Sequence, residues 1–451
     1  MGMHRKLPWA AGPHQKALAY HLRMTKYRVD DTFKMIGAFW RYGEPDQKFP
    51  GTLTSREGVV EIMTAPVFSV LDKDAVRKSV SKMNRGPSLD LIPSICGFTT
   101  DNDCTLFASV MLDGGSLTHF PKRMEITANR YRAGRTVMGL HLESAGAATI
   151  DGGAFYLTKI HHLLPTPWTS NMEMTGTTYV VPSELKEVFG FTSTELDAEV
   201  TCEVFAGGNA KIKKGAWIKS VPRIKIMPRH RQSVDWFFTI AFRLENFFTL
   251  FLGTSVELKH VQLFQDKDEG WVVQKLRRRT EKVNFQTWVR CPYQMVQTAL
   301  GKWLAVPVDR RPVELTVLGM IRKSEVFDEA EFLSLAQALE GFGRINFAST
   351  MGKRPSFAQL IQKTYDLLSV DFALELLGER AAFTRTVVDT RNYYTHLGNP
   401  KGNAATQNSK ELFLLNKRLH AFLRCVMLID LGVTENYLRE PILYQAKRWI
   451  V

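Results

Sequence analysis

At 451 residues the chain is too long for one ordinary hydrophobic core and implies two or three domains. Hydrophobic residues at 45% and charged residues at 23% exclude a disordered or fibrous chain. Five cysteines (Cys96, Cys104, Cys202, Cys291 and Cys425), odd in number and without a C-x2-C pair, argue against a disulfide frame or a zinc site and fit a reducing cytoplasm. The net charge is +14, from 59 Lys and Arg against 45 Asp and Glu, and residues 326–451 hold fifteen basic and thirteen acidic side chains. Nearly all of the excess therefore lies upstream, where it would attract an anionic polymer such as RNA.

Residues 1–25 form a basic tail or an extended start, with Met24 an alternative first residue. Arg5, Lys6, Lys16 and Arg23 have no acid among them. No apolar run there is long enough for a signal peptide, and Lys6 stands where a myristoylation signal has Ser or Thr.

Residues 26–300 read as a β-rich domain. Short apolar or alternating runs at 59–63, 105–111, 136–142 and 199–205 are divided by turn signals at Asp113-Gly114-Gly115-Ser116, Asp151-Gly152-Gly153 and Gly207-Gly208-Asn209. None of these is a phosphate loop, because neither G-x4-G-K-[ST] nor G-x-G-x-x-G occurs. His161-His162 lacks further ligands at metal spacing and reads as structural.

Between Val204 and Val234 lie eight basic residues and no acid: Lys211, Lys213, Lys214, Lys219, Arg223, Lys225, Arg229 and Arg231. The alternation through Lys211-Ile212-Lys213 and Arg223-Ile224-Lys225-Ile226 predicts strands with one basic face, suited to an RNA backbone or simply solvated. Lys275-Leu276-Arg277-Arg278-Arg279 poses the same choice. Phe237–Leu252 is the most apolar stretch, but Arg243, Glu245 and Asn246 interrupt it, so it reads as a buried helix packing the β domain and not as a membrane span.

Pro307 and Pro312 mark a connector over 301–325. From 326 to 451 the pattern is helical. Phe332, Leu335, Ala336 and Leu339 define one helix, Ser356–Ile361 opens a second, and Asp371–Leu377 makes a third. A fourth carries Arg391 and His396, and Leu412–Leu431 is a fifth. Together they suit an up-down bundle of four or five helices.

In the fourth helix Phe383, Val387, Thr390, Tyr394 and Leu397 recur at helical spacing and make the core face, and Gly398 and Pro400 stop it. At about 100° per residue Arg391 and His396 lie roughly 140° apart and off that stripe. Asp389, Asn392 and His396 line one edge. An imidazole can accept and donate a proton near neutrality. A guanidinium matches phosphate oxygens and the added charge of a phosphorane. The 2′-hydroxyl of RNA is a built-in nucleophile, so such a site needs no metal and no cofactor. The bland alternative is a surface arginine and a helix-capping histidine. Lys401 and Lys410, beyond the motif, are candidate phosphate contacts.

Arg391-Asn392-Tyr393-Tyr394-Thr395-His396 resembles the R-x4-H motif of HEPN-domain ribonucleases, including the polar residue after the arginine. Phe332–Glu340 resembles the opening helix of the ApeA-like HEPN branch, and Phe39-Trp40 through Pro50–Leu53 and Gly58 resembles the start of that family's N-terminal domain. The resemblance implies an α+β, multidomain protein in which a β-rich N-terminal sensor domain precedes an all-α HEPN helical bundle. It implies an abortive-infection endoribonuclease, in which the N-terminal domain senses a phage-derived trigger and the HEPN domain cuts host RNA, tRNA being one candidate. It also implies a homodimer that pairs two Arg391/His396 sets across a two-fold axis, with Asn392 orienting the histidine or a phosphate. The competing readings are a HEPN module that binds or dimerises without catalysis, and an RNA-binding protein that uses the basic 204–234 region.

Overall fold

The apolar stretch at 237–252 folds as helix α1, Val234–Leu252, and the other elements are arranged about it. Ser233 caps its first turn by accepting the Trp236 N–H at 3.1 Å, and Gly253 ends it in the left-handed region at φ 58°. Phe237, Leu244, Phe247, Phe248, Phe251 and Leu252 are all fully buried. A helix apolar on so many sides must be covered all round, and here a sheet covers one side and helices the other.

The protein is seen as a computed structural model that describes residues 28, 30–64, 91–119, 124–164, 169–173, 176–180, 186–211, 215–274, 285–305, 311–322, 327–351, 354–396 and 409–447. The basic 1–25 segment, Lys213, Lys214, Lys401 and the 275–279 run fall outside these residues. Among the described residues no helix is long and apolar enough to cross a membrane.

The first six strands are β1 (Phe33–Arg41), β2 (Phe49–Arg56), β3 (Val59–Thr64), β4 (Leu91–Thr99), β5 (Asp103–His119) and β6 (Met124–Arg132). They pair antiparallel in the order β5-β4-β1-β2-β3-β6, and β6 returns to the second half of β5, so the ring closes as a barrel. Its core holds Met35, Phe39, Leu53, Ile62, Leu106 and Tyr131. The first half of β5 also pairs with β7 (Arg135–Met138). From there the sheet continues as an open wing through β15 (Asp268–Val273), β14 (Leu258–Gln265), β8 (Gly152–Leu157), β13 (Gly215–Pro228), β12 (Ala198–Lys211) and β11 (Lys186–Ser193). Strands β9 (Thr169–Glu173) and β10 (Gly176–Val180) form a separate pair.

Two turn signals in the sequence prove to lie inside strands. Asp113–Ser116 belongs to β5, where the register slips between Met111 and Asp113. Gly207–Asn209 belongs to β12, paired with residues 217–219 of β13. Glycine inside a strand marks a bulge or a close approach as readily as a turn. Gly153, read with Asp151 and Gly152 as a turn, lies in β8 and serves such an approach. A Cβ there would come within 2.8 Å of the Phe237 ring, so its absence lets α1 settle on the wing.

Helices α2 (Tyr293–Ala305) and α3 (Arg311–Arg322) pack on the other side of α1, so residues 301–325 are largely helical, with Val317 and Leu318 fully buried. The bundle continues as α4 (Asp328–Phe347), α5 (Phe357–Tyr365), α6 (Val370–Leu377), α7 (Arg380–His396), α8 (Ser409–Asp430) and α9 (Glu435–Lys447). The α5 start is a full capping box between Ser356 and Gln359. Helix α9, which holds Pro441 within it, was not among the helices expected from the sequence.

Arg424 of α8 is completely buried, and it crosses between the two halves. Its guanidinium donates to Leu250 O (2.6 Å), Phe251 O (2.7 Å), Thr287 O (2.8 Å) and Gln445 Oε1 (2.8 Å). Leu250 and Phe251 lie in the last turn of α1, whose carbonyls have no partner within the helix, so the cation meets the negative end of its dipole. Burial lowers the Arg424 pKa to about 9, so the group remains charged at neutral pH.

A Cβ at Gly253 would meet Arg424 Nη1 at 2.5 Å, and the site needs positive φ, so Gly253→Ala is expected to cost at least ~2 kcal/mol. Arg424→Met removes the guanidinium donors to Leu250 O, Phe251 O and Thr287 O and is expected to cost ~3 kcal/mol or more in chemical denaturation. Glu245 of α1 accepts the Leu258 N–H at 2.6 Å. Burial pushes its carboxyl up from 4.5 to about 7, against the opposing pull of that N–H and of Arg322. The folded state thus binds the proton more tightly than the unfolded chain. The resulting stabilisation is complete below about pH 4.5 and is lost as pH rises through about 7. Thermal melts of Glu245→Gln should therefore gain on the parent between about pH 5 and pH 8, and a constant difference would contradict the assignment.

Candidate active site

Helix α7 is fixed by its buried face. Val387 and Thr390 are fully buried, Thr384 is nearly so, and Phe383 meets Phe422 of α8 edge-on at 5.9 Å and Tyr365 of α5 at 6.4 Å. Near its end Tyr394, half-buried, packs 6.2 Å from Phe332 of α4. Leu397, expected on the same stripe, lies outside the described residues. Because this face is committed to the core, the residues between its contacts are turned outward.

Arg391 leaves the helix towards α4 and α5, with its side chain 36% exposed. Its Nη2 lies 3.9 Å from Glu340 Oε2, its Nη1 lies 3.5 Å from Asn392 Oδ1, and its guanidinium stands 5.9 Å from the Phe357 ring. Glu340 is itself gripped by Arg344 one turn on, which donates from Nη2 at 2.6 Å and from Nε at 3.1 Å. The carboxylate thus lies between two guanidiniums, and the cluster carries a net positive charge. Phe357, Glu340 and Arg344 were not singled out in the sequence. The i,i+4 spacing of Glu340 and Arg344 was a readable signal for half of this arrangement.

His396 lies at the end of α7 and is exposed. Among the described residues it has no hydrogen-bond or ion-pair partner, and nothing of that kind joins it to Arg391 within one chain. Asn392 and Asp389 are half-buried on the neighbouring edge.

Within the basic 204–234 region the structure corrects one residue. Arg223 is 5% exposed and cannot serve as an outer phosphate contact. The β12–β13 register sets it directly opposite Glu203, whose Oε2 accepts its Nε at 2.6 Å, and its Nη1 donates to Tyr156 Oη at 3.2 Å. Other acids answer the neighbouring charges. Asp197 lies 3.4 Å from Arg229, and Asp151 and Asp266 both pair with Arg231. A stretch without acids in sequence therefore meets them across the fold. Lys211 ends β12, Lys225 is half-buried in β13, and Lys410 is exposed at the start of α8.

His161 and His162 occupy a short 3-10 turn, and among the described residues no group of three His, Cys, Asp or Glu could hold a metal ion. Cys96, Cys104, Cys202 and Cys425 are buried, and burial pushes their thiols up, away from the reactive thiolate.

Residues 34–292 match the family model of ApeA N-terminal domain 1, and residues 333–437 match that of the Apea-like HEPN domain. The chain belongs to the ApeA family. No curated protein and no solved structure matches it. The ApeA N-terminal match covers the barrel, the wing and α1, and it ends one residue before α2. The HEPN match begins inside α4 and ends in the first turn of α9, so Arg391, Asn392 and His396 all lie within it.

Proposed function

We propose that this ApeA-family protein is a metal-independent endoribonuclease of anti-phage defence. Its HEPN domain would cut host RNA, with tRNA a candidate, and its N-terminal domain would withhold that activity until a phage-derived trigger binds. The observation that carries this reading is the display of Arg391, Asn392 and His396 off the buried stripe of α7, inside the matched HEPN segment.

The chemistry follows from the side chains. One His396 takes the proton of a 2′-hydroxyl, whose oxygen attacks the adjacent phosphorus. The P–O5′ bond breaks, and a second His396, contributed by another copy of the chain, protonates the leaving 5′-oxygen. Arg391 meets the charge that gathers on the phosphorane, and Asn392 steadies it or orients the histidine. The products are a 2′,3′-cyclic phosphate and a free 5′-hydroxyl. The exposed His396 is suited to a cleft completed by a second chain, which makes a homodimer through the HEPN domains part of the proposal. Glu340 holds Arg391 loosely at 3.9 Å, and a phosphate would compete for the same guanidinium. Lys401 and Lys410 remain candidates for flanking phosphates, and Lys211, Lys213, Lys214 and Lys225 for a longer RNA path.

The competing reading, a HEPN module that binds without cutting, draws on the same contact, because Glu340 already answers part of the Arg391 charge. Incubating triggered protein with total RNA in EDTA separates the two. Fragments ending in 2′,3′-cyclic phosphate are expected to persist without divalent metal. Arg391→Ala should slow their formation about 10²–10³-fold, and His396→Ala should do so at least as much. Arg391→Lys should fail to restore the rate, because it lacks the planar fork. Intact RNA with the triggered parent, or equal fragmentation by His396→Ala, would overturn the proposal.

A further inference from the structure

A second cleft, of about 340 Å³, lies where the last segment of the N-terminal match meets α9 of the HEPN domain. Phe285, Trp288 and Arg290 line one side, and Tyr437, Glu440 and Pro441 the other. None of these residues belongs to α7, so the cleft is separate from the Arg391 site. Its volume is at the lower end of small-molecule sites.

The wall is unusually rich in rings. Phe285 and Trp288 meet at 4.5 Å, and His162 stacks behind them, 4.5 Å from Trp288 and 5.5 Å from Phe285. Burial and the nearby Arg290 pull the His162 pKa below the usual imidazole value. Phe285 nevertheless remains 49% exposed, an aromatic face at a cleft mouth with nothing covering it among the described residues. Polar groups accompany the rings, Gln286 and Asn436 among them. Arg290 and Glu440 are exposed, and neither has a hydrogen-bond or ion-pair partner among the described residues. Trp288 is 3% exposed, and its Nε1–H has no acceptor there, an unmet donor in a wall otherwise well packed.

A planar base on an aromatic face, a phosphate on a guanidinium and a base edge on a carboxylate are the elements of nucleotide recognition. Glu440 narrows the choice. A carboxylate accepts only, and guanine alone among the common bases presents two adjacent N–H donors, N1–H and N2–H, to such an acceptor. We propose that this cleft binds a guanylate, its base against Phe285 and Tyr437, its Watson–Crick edge on Glu440 and its phosphate on Arg290. The guanylate is either a free nucleotide or one residue of an RNA strand. Because Arg290 lies within the N-terminal match and Tyr437 within the HEPN match, with Glu440 one turn further along α9, the bound nucleotide would bridge the N-terminal domain and the HEPN bundle.

Isothermal titration of the full-length protein with GMP, AMP, CMP, UMP and guanosine tests this assignment. GMP is expected to bind ~10-fold or more tightly than AMP, CMP or UMP, the difference expected for one hydrogen-bonded charged group. Arg290→Ala should weaken GMP ~10-fold and leave guanosine unchanged, whereas Glu440→Gln should bring GMP and AMP to within about 2-fold of each other. All the substituted side chains are exposed, and unchanged thermal melts confirm that the variants fold. A uridine oligoribonucleotide bearing one guanosine, titrated in the His396→Ala background, identifies the source. Displacement of GMP by the oligonucleotide assigns the cleft to an RNA strand, and its failure to displace GMP assigns the cleft to the free nucleotide. Absence of GMP binding, equal affinity for all four nucleotides, or a GMP affinity indifferent to both substitutions would overturn the proposal.

Discussion

A single buried guanidinium joins the two halves of this protein. Among the described residues Arg424 has no carboxylate partner. The last carbonyls of α1, together with Thr287 O and the Gln445 side chain, compensate its charge. An unpaired charge is tolerated inside a protein only where fixed dipoles replace the water it gave up, and the C-terminal end of a helix supplies them. Much else is constrained by that contact. Gly253 must lack a side chain, α1 must end where it does, and α8 must pass beside it. The regions matched as an N-terminal domain and as an HEPN domain therefore meet in one continuous core and not across a flexible linker.

The same helices lead to the candidate active site. On one side α1 lies on the sheet wing through Phe155 and Phe237, and on the other its end is held by α8. Phe422 of α8 in turn supports Phe383 of α7, the helix that carries Arg391 and His396. Each step is a contact between buried groups, so the sheet wing and the site are connected by packed elements throughout. A packed route of this kind is a physical means by which an event on the N-terminal domain could bias the HEPN bundle. The ring-lined cleft beside Trp288 lies on the same seam and gives a small ligand a place to act on it.

Much of this architecture could be read from residue spacing. The Phe332–Leu339 stripe and the stripe through Phe383, Val387 and Thr390 each had a helical period, and the α1 run was legible from its apolarity and its interrupting charges. Features set by distant partners were not legible. Arg223 looked like a surface cation because its strand holds no acid, and only the β12–β13 register brings Glu203 opposite it. Glycines in β5, β8 and β12 looked like turns because the sequence does not show which neighbour comes close. At the site, Arg391 and His396 could be named from their motif, but Glu340, Arg344 and Phe357 belong to other helices. Arg424 stood within the Leu412–Leu431 helix with no sequence signal to set it apart. Its role depends on the end of a helix 174 positions upstream.

Native-state hydrogen exchange of the full-length protein, resolved by peptide across α1 and α8, tests the central claim of a shared core most directly. If the Arg424 seam makes one cooperative unit, amides in the last turns of α1 and in the middle of α8 exchange through a common opening with the same free energy and the same denaturant dependence. Exchange of α1 through a lower-energy opening while α8 stays protected would show that the halves open separately, and would contradict the account.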